Sequence, residues 1–162
     1  MQFSIGVEYA FHSLFYMVGV PGGKSIGIKR IAELHGITET YLSKIFAKLS
    51  KAEIVKSIPG VKGGYGLARN AEDISFWDII EAVEGPAYMF QCAEIRKKNI
   101  FVADPSVFSE KCPCLIKVVI QDAENGLRDS LRAKSLRWLF DQVRDGFPDE
   151  KKKAISNWIN TV

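Results

Sequence analysis

The chain has 162 residues, of which 47% are apolar and 25% charged, and this composition excludes disorder as its main state. The length suits one domain of typical size and leaves little room for a second full-sized one. No apolar run approaches the roughly 20 residues that a bilayer span needs, and the N-terminal stretch, which contains Glu8 and His12, lacks a secretory signal pattern. We therefore expect a cytoplasmic protein with no membrane partner.

The net charge of +3 is unevenly distributed along the chain. Residues 24–69 contain nine Lys and Arg against three Glu, so this segment carries +6 and the rest carries −3. A basic segment in an otherwise slightly acidic protein predicts that this region binds a polyanion.

Helical patterns dominate the first third of the chain. Apolar residues at helical spacing predict a first helix over 4–18 and a short second helix that Gly36 ends. A third helix follows at once, with Thr38 as its N-cap. Two helices joined by a tight turn that contains glycine form a helix-turn-helix.

A β-hairpin is predicted after the third helix. Residues 54–58 and 65–68 favour two strands, and the glycine-rich stretch between them favours a turn. Such a hairpin is a wing. Lys62 and Arg69 give it positive charge, and its glycines would let the backbone approach a phosphate chain closely.

Two further helices are predicted beyond the wing. Ser75 and Asp78 form a capping box for the first, which ends at Gly85. From Pro113 onward, apolar residues at four-residue intervals predict a long helix. We expect its regular apolar stripe to pair with a second subunit.

The remaining segments are less regular. Residues 86–111 show no sustained period and favour an irregular loop with a short helical piece, and the tail after Pro148 favours a last short helix. We expect a mainly α fold with a small β wing. Its three parts would be a winged helix-turn-helix domain over 1–85, a cysteine-bearing sensor loop over 86–114, and a dimerisation helix with a C-terminal tail over 115–162.

The third helix and the wing carry side chains suited to DNA. Polar and basic residues near a helix N-terminus can reach base edges and phosphates. We expect DNA contacts from Thr38, Thr40, Tyr41, Ser43, Lys44, Lys62 and Tyr65. Lys62 should contribute affinity and salt dependence more than sequence preference.

Three stretches resemble a known family. They are residues 31–45, the wing sequence GVKGGYGLAR over 60–69, and DIIEAVEG over 78–85. Together they resemble the Rrf2 family of bacterial winged-helix transcriptional regulators, typified by IscR, NsrR and CymR, over residues 1 to about 140. The resemblance implies a homodimer that binds double-stranded DNA at a palindromic operator, and we expect a repressor. Many members carry an iron-sulfur cluster that senses iron, nitric oxide or redox state.

The three cysteines, Cys92, Cys112 and Cys114, are too few for a disulfide scaffold. RsrR-like redox sensors of the family hold a 2Fe-2S cluster with two widely spaced cysteines of one subunit and with a Glu and a His on the N-terminal helix of the other. Glu8 and His12 lie one helical turn apart. The resemblance therefore implies a cluster ligated by Glu8 and His12 of one chain and by Cys92 and Cys112 of its partner, with Cys114 as an alternative ligand. Thiolate and imidazole are suitable iron ligands.

Other interpretations of the same residues stay open. A cluster-free regulator of this family would respond to thiol oxidation or to a partner protein. Zinc could occupy the same donor set. A winged-helix module could also bind protein instead of DNA. Enzymatic activity is the least expected, because no Ser-His-Asp order, P-loop or dinucleotide fingerprint occurs.

Overall fold

The structure is a computed structural model that describes residues 2–21, 24–60, 63–86 and 88–161. Across these ranges the helices are α1 (Ile5–Val18), α2 (Ile28–His35), α3 (Glu39–Lys51), α4 (Phe76–Glu84), α5 (Leu115–Arg132), α6 (Leu136–Asp145) and α7 (Asp149–Asn160). The strands are β1 (Val55–Ile58) and β2 (Gly64–Leu67), and short 3₁₀ helices span Ala71–Asp73, Ile95–Lys98 and Pro105–Val107. The predicted fold class, mainly α with a small β wing, is confirmed. None of the helices within these ranges is both long and apolar enough to cross a bilayer.

Helices α2 and α3 form the predicted helix-turn-helix. Gly36 ends α2 with a left-handed backbone (φ 65°), and its amide donates to the carbonyls of Ala32 and Glu33. Thr38 caps α3, since its side chain accepts a hydrogen bond from the Tyr41 amide at 3.3 Å. Only three residues separate the two helices, so the direction of α3 is fixed relative to α2.

Strands β1 and β2 form the antiparallel wing, with Val55 opposite Leu67. Ile26 also forms an isolated antiparallel β-bridge with Tyr65 of β2. A Cβ atom on Gly64 would lie 2.3 Å from the Ile26 carbonyl oxygen, so only glycine allows this close approach. The chain's own packing therefore accounts for a wing glycine that the sequence analysis assigned to approach to phosphate.

Helix α4 begins with the capping box that the sequence predicts. The Ser75 hydroxyl accepts from the Asp78 amide at 3.1 Å, and the Asp78 carboxylate accepts from the Ser75 amide at 2.8 Å. Gly85 follows the helix with φ 82°. Trp77 is buried in the core, which fixes α4 against the winged unit.

Helix α5 starts at Leu115, two residues after Pro113. Cys114 is its N-cap, so Pro113 precedes the helix and is not part of its first turn. Along the predicted stripe, Leu115 and Val119 are exposed, whereas Leu127 and Leu131 are half-buried. The first half of α5 therefore presents an uncovered apolar face.

Helix α6 is not predicted from the sequence. The chain turns back after α5, and the Leu136 amide donates to the Ile74 carbonyl at 2.8 Å while the Phe76 amide donates to the Lys134 carbonyl at 2.9 Å. Leu136 is completely buried, and Ile159 of α7 is buried near the end of α1. Residues 115–162, assigned above to dimerisation and a tail, thus also supply core to the winged unit.

Replacing Leu136 tests whether α6 belongs to this core. Leu136→Ala should lower the free energy of unfolding by about 2–5 kcal/mol, because it leaves a cavity at a fully buried site. Urea denaturation followed by circular dichroism measures the change. Leu34→Ala is the control. Since Leu34 is 36% exposed, this replacement should lower the free energy of unfolding clearly less. Equal losses in the two variants would contradict the assignment.

Candidate nucleic-acid interface and thiol site

Helix α3 has one buried face and one polar face. The buried face consists of Leu42, Ile45, Phe46 and Leu49. On the polar face Ser43 is half-buried, and the exposed residues are Thr38, Thr40, Tyr41 and Lys44. Tyr41 is 38% exposed, although its ring packs edge-on against Tyr9 with 5.8 Å between centroids. The residues of α3 that are predicted to contact DNA therefore lie together on its polar face.

The wing is attached to α3 through Tyr65. The Tyr65 ring meets Phe46 edge-on with centroids 5.0 Å apart, and its main chain exchanges two hydrogen bonds with Ile26 at 2.9 and 3.0 Å. Tyr65, a predicted DNA contact, is half-buried by this packing. Lys62, the other predicted wing contact, lies outside the described residues.

Arg69 has a structural role that the sequence did not indicate. Its guanidinium donates to the carbonyls of Glu53 and Asp73, each at 3.2 Å, and lies 3.9 Å from the Asp78 carboxylate. Glu53 has a left-handed backbone (φ 55°), so Arg69 ties an unusual turn to the start of α4. Its charge is directed at the chain's own carbonyls instead of at a phosphate.

The cysteine loop brings two thiols together. Cys114 is buried at the start of α5, Cys92 is half-buried and Cys112 is exposed. The pKa of the Cys114 thiol is held below its ordinary value, chiefly by the backbone amide of Lys117, with further hydrogen bonds from the Ile116 amide and the Cys92 side chain. The Cys92 side chain is therefore near Cys114, the residue that the sequence analysis named as the alternative ligand.

Arg96 fixes the shape of this loop. Its guanidinium donates to the carbonyls of Cys112 at 3.1 Å and Pro113 at 3.3 Å, and it is paired with the Glu94 carboxylate at 2.9 Å. The same guanidinium lowers the pKa of Cys114 as a minor cause. A cation beside a thiol favours the thiolate form, here that of Cys114.

Glu8 and His12 share one exposed face of α1. The Glu8 Oε1 and His12 Nε2 atoms are 4.0 Å apart, and the side chains are 70% and 62% exposed. The His12 ring lies 6.2 Å from that of His35, whose pKa is lowered by burial and, to a smaller extent, by His12. Within the described part of a single chain, no group of three or more His, Cys, Asp or Glu side chains is arranged to hold a metal ion.

The helix-turn-helix, its wing and the polar face of α3 define a class, the winged-helix proteins that regulate transcription by binding DNA. The chain belongs to the Rrf2 family, because the family model, described as an iron-dependent transcriptional regulator, matches residues 3–142. Proteins of this family are DNA-binding regulators and are not enzymes. The resemblance drawn from the sequence is confirmed.

Individual relatives agree with this assignment. YwgB of Bacillus subtilis (strain 168), named as an HTH-type transcriptional regulator, is 28% identical over 159 residues, which are 98% of this chain and 95% of YwgB. The structure is similar to IscR of T. potens (TM-score 0.65, 26% identity, 91% of this chain and 93% of that one). It is also similar to the oxidized form of CymR from Staphylococcus aureus (TM-score 0.61, 26% identity, 86% and 96%).

A conservative change separates the structural role of Arg69 from DNA contact. Arg69→Lys keeps the charge but loses the forked donation to Glu53 and Asp73, so the free energy of unfolding should fall by about 1 kcal/mol. Thermal or urea unfolding measures this loss. Arg132→Lys is the control, because the only ion pair of Arg132 within the described ranges is an exposed one with Asp129, and its replacement should change stability little. Unchanged stability of the Arg69 variant would contradict the structural role.

Proposed function

We propose that this regulator reads operator DNA with the polar face of α3 in the major groove and with the wing against the adjoining backbone. The observation that carries the proposal is the exposed row of Thr38, Thr40, Tyr41 and Lys44 in a segment of net charge +6. Side chains of a recognition helix contact base edges, and lysines at its rim contact phosphates. Ser43, Tyr65 and Lys62 complete the proposed surface.

The proposed regulator is a homodimer that pairs through α5. Leu115, Ile116 and Val119 are 74%, 64% and 67% exposed, and an apolar patch of this kind on a helix is typical of a protein interface. Two α5 helices packed on each other would cover these residues. A two-fold axis at this interface places two α3 helices on a palindromic operator, with half-sites about 34 Å apart.

The sensor of the proposed repressor is a 2Fe-2S cluster held between two chains. Glu8 and His12 of one chain and two cysteines of the other would be its ligands. The nearness of Cys92 and the lowered pKa of Cys114 favour this residue over Cys112 as the second thiolate. A bound cluster would supply one-electron redox chemistry.

The proposed ligands lie on elements that position the reading helix. Tyr9 follows Glu8 directly and packs on Tyr41, the exposed aromatic residue of α3. His12 lies beside His35 at the end of α2. The loop between Cys92 and Cys114 lies between α4 and α5, so in the proposed dimer its shape would influence the spacing of the two winged units. What these residues bind would therefore affect operator affinity.

Direct thiol oxidation is the second candidate, and the nearness of Cys92 to Cys114 favours it specifically. A second thiol near a cysteine of lowered pKa favours disulfide formation. Oxidation by hydrogen peroxide would join the two sulfurs and release two water molecules. A similar solved structure is an oxidized form of CymR.

Salt dependence tests the DNA surface. Lys44→Gln should weaken binding to a duplex selected from a random pool, and it should reduce the slope of log affinity against log salt by about 1. Fluorescence anisotropy over a salt series measures both. Lys97→Gln removes the same charge from an exposed site in the cysteine loop and should leave both unchanged. A wild-type slope for Lys44→Gln would place this lysine away from the phosphates.

Metal analysis tests the sensor. Protein prepared without oxygen should contain about two irons and two sulfides per chain and absorb visible light. Cys92→Ser, His12→Ala and Cys114→Ser should each lose the iron, whereas the matched variant Cys112→Ser should keep it.

Three other results would contradict this cluster. Iron loss in Cys112→Ser alone would make Cys112 the ligand in place of Cys114. Zinc in place of iron would indicate a zinc site. Wild-type protein without metal that forms a disulfide between Cys92 and Cys114 on mild oxidation would establish the thiol regulator instead.

A further inference from the structure

A groove of about 590 Å³ lies away from both the α3 face and the cysteines. The end of α1 and the residues after it form one side, and the wing forms the other. The start of the 3₁₀ helix Ala71–Asp73 and Arg137 of α6 close it. Its volume falls in the range of small-molecule sites, about 300–1,000 Å³.

The walls of the groove combine apolar surface with positive charge. Partly buried apolar side chains are supplied by Val18, Val20, Ile58 and Leu67. The charged residues of the lining are Lys24, Lys56, Arg69, Arg137 and Glu72, four cations against one acid.

Two of the four cations are available to a ligand. Arg69 donates to backbone carbonyls, and Arg137 is paired with Asp141 at 2.9 Å. Lys24 and Lys56 are exposed, and their ammonium groups form no ion pair with any residue in the described ranges. An uncompensated positive pair beside apolar surface is complementary to an anion that has an apolar body.

We propose that this groove binds a small organic anion, a carboxylate or phosphate monoester with an apolar body. Its charged head pairs with Lys24 and Lys56, and its body packs on Val20 and Ile58. The apolar wall distinguishes this ligand from the DNA backbone, which presents only phosphate and sugar to a basic surface. The inference goes beyond the DNA and cluster proposals and requires neither of them.

The bound anion would connect the wing to α1. Gly66 of the wing shows how closely these parts approach, because a Cβ atom there would lie 3.0 Å from the Ile58 side chain and 3.6 Å from the Lys24 carbonyl oxygen. Tyr65 lines the groove and also packs on Phe46 of α3, so the groove adjoins the proposed reading surface. A ligand here would thereby act as an effector of DNA binding.

The test uses octanoate as the probe and full-length protein without DNA. Titration followed by amide NMR should shift the signals of Gly66, Leu67 and Asn70, and calorimetry should give a dissociation constant in the millimolar range. Hexanoate should bind several-fold more weakly, because it buries less apolar surface. Octanol, which has the same chain without the charge, should shift these signals less than octanoate does.

A matched pair of variants tests the charge. The double variant Lys24→Gln, Lys56→Gln should weaken octanoate binding about tenfold, while Lys97→Gln, Lys98→Gln, which removes two exposed charges elsewhere, should leave it unchanged. Both should unfold at the wild-type urea concentration. Equal octanoate binding by the two variants would overturn the proposal. So would shifts centred on the exposed face of α5, or equal binding of octanol.

The same double variant distinguishes a groove that binds a small anion from a surface that binds the DNA backbone. In the proposed arrangement it keeps the wild-type salt slope for the selected duplex. A slope reduced by about 2, together with no octanoate binding by wild-type protein, would show that Lys24 and Lys56 contact phosphates instead. Failure of the DNA or cluster experiments leaves the octanoate result unaffected.

Discussion

The burial of α1 on several sides is the constraint on which the rest of the structure depends. Ala10 and Leu14 have no exposed surface, and α1 packs against α3, α4 and α6. Phe15 extends this core to α6, where its ring lies 5.2 Å from that of Phe140. The side of α1 that these neighbours leave exposed to solvent carries Glu8 and His12. A helix so enclosed cannot move without moving the helix-turn-helix.

Local signals in the sequence predicted much of the fold. Thr38, Ser75, Gly36 and Gly85 each end or begin a helix where predicted, since caps depend on a few neighbouring atoms. The predicted strands differ from the observed ones by a single residue at their ends. The contact face of α3 was also predictable, because a buried stripe on a helix defines the opposite face.

Long-range contacts explain what the sequence did not reveal. Helix α6 depends on the Leu136 hydrogen bond to Ile74, a pairing between segments about sixty residues apart that no periodicity encodes. Likewise, the spacing of the cysteines favoured Cys112, whereas only the structure shows that Cys114 is buried as the N-cap of α5 and that Cys112 is exposed. The sequence suggests that Arg69 provides positive charge for a phosphate, but in the structure its guanidinium donates to two backbone carbonyls.

The proposed division of donor atoms would couple metal binding to assembly. Glu8 and His12 would supply two donors on α1, and two cysteines of the loop would supply the other two, so neither pair alone provides the four protein ligands that a 2Fe-2S cluster takes. In the proposed site, the pairs come from different chains. Metal that binds only the assembled site stabilises the dimer by mass action, and metal loss weakens it by the same free energy. Since the proposed palindromic operator would be bound by two α3 helices at once, the affinity for DNA would depend on the same assembly.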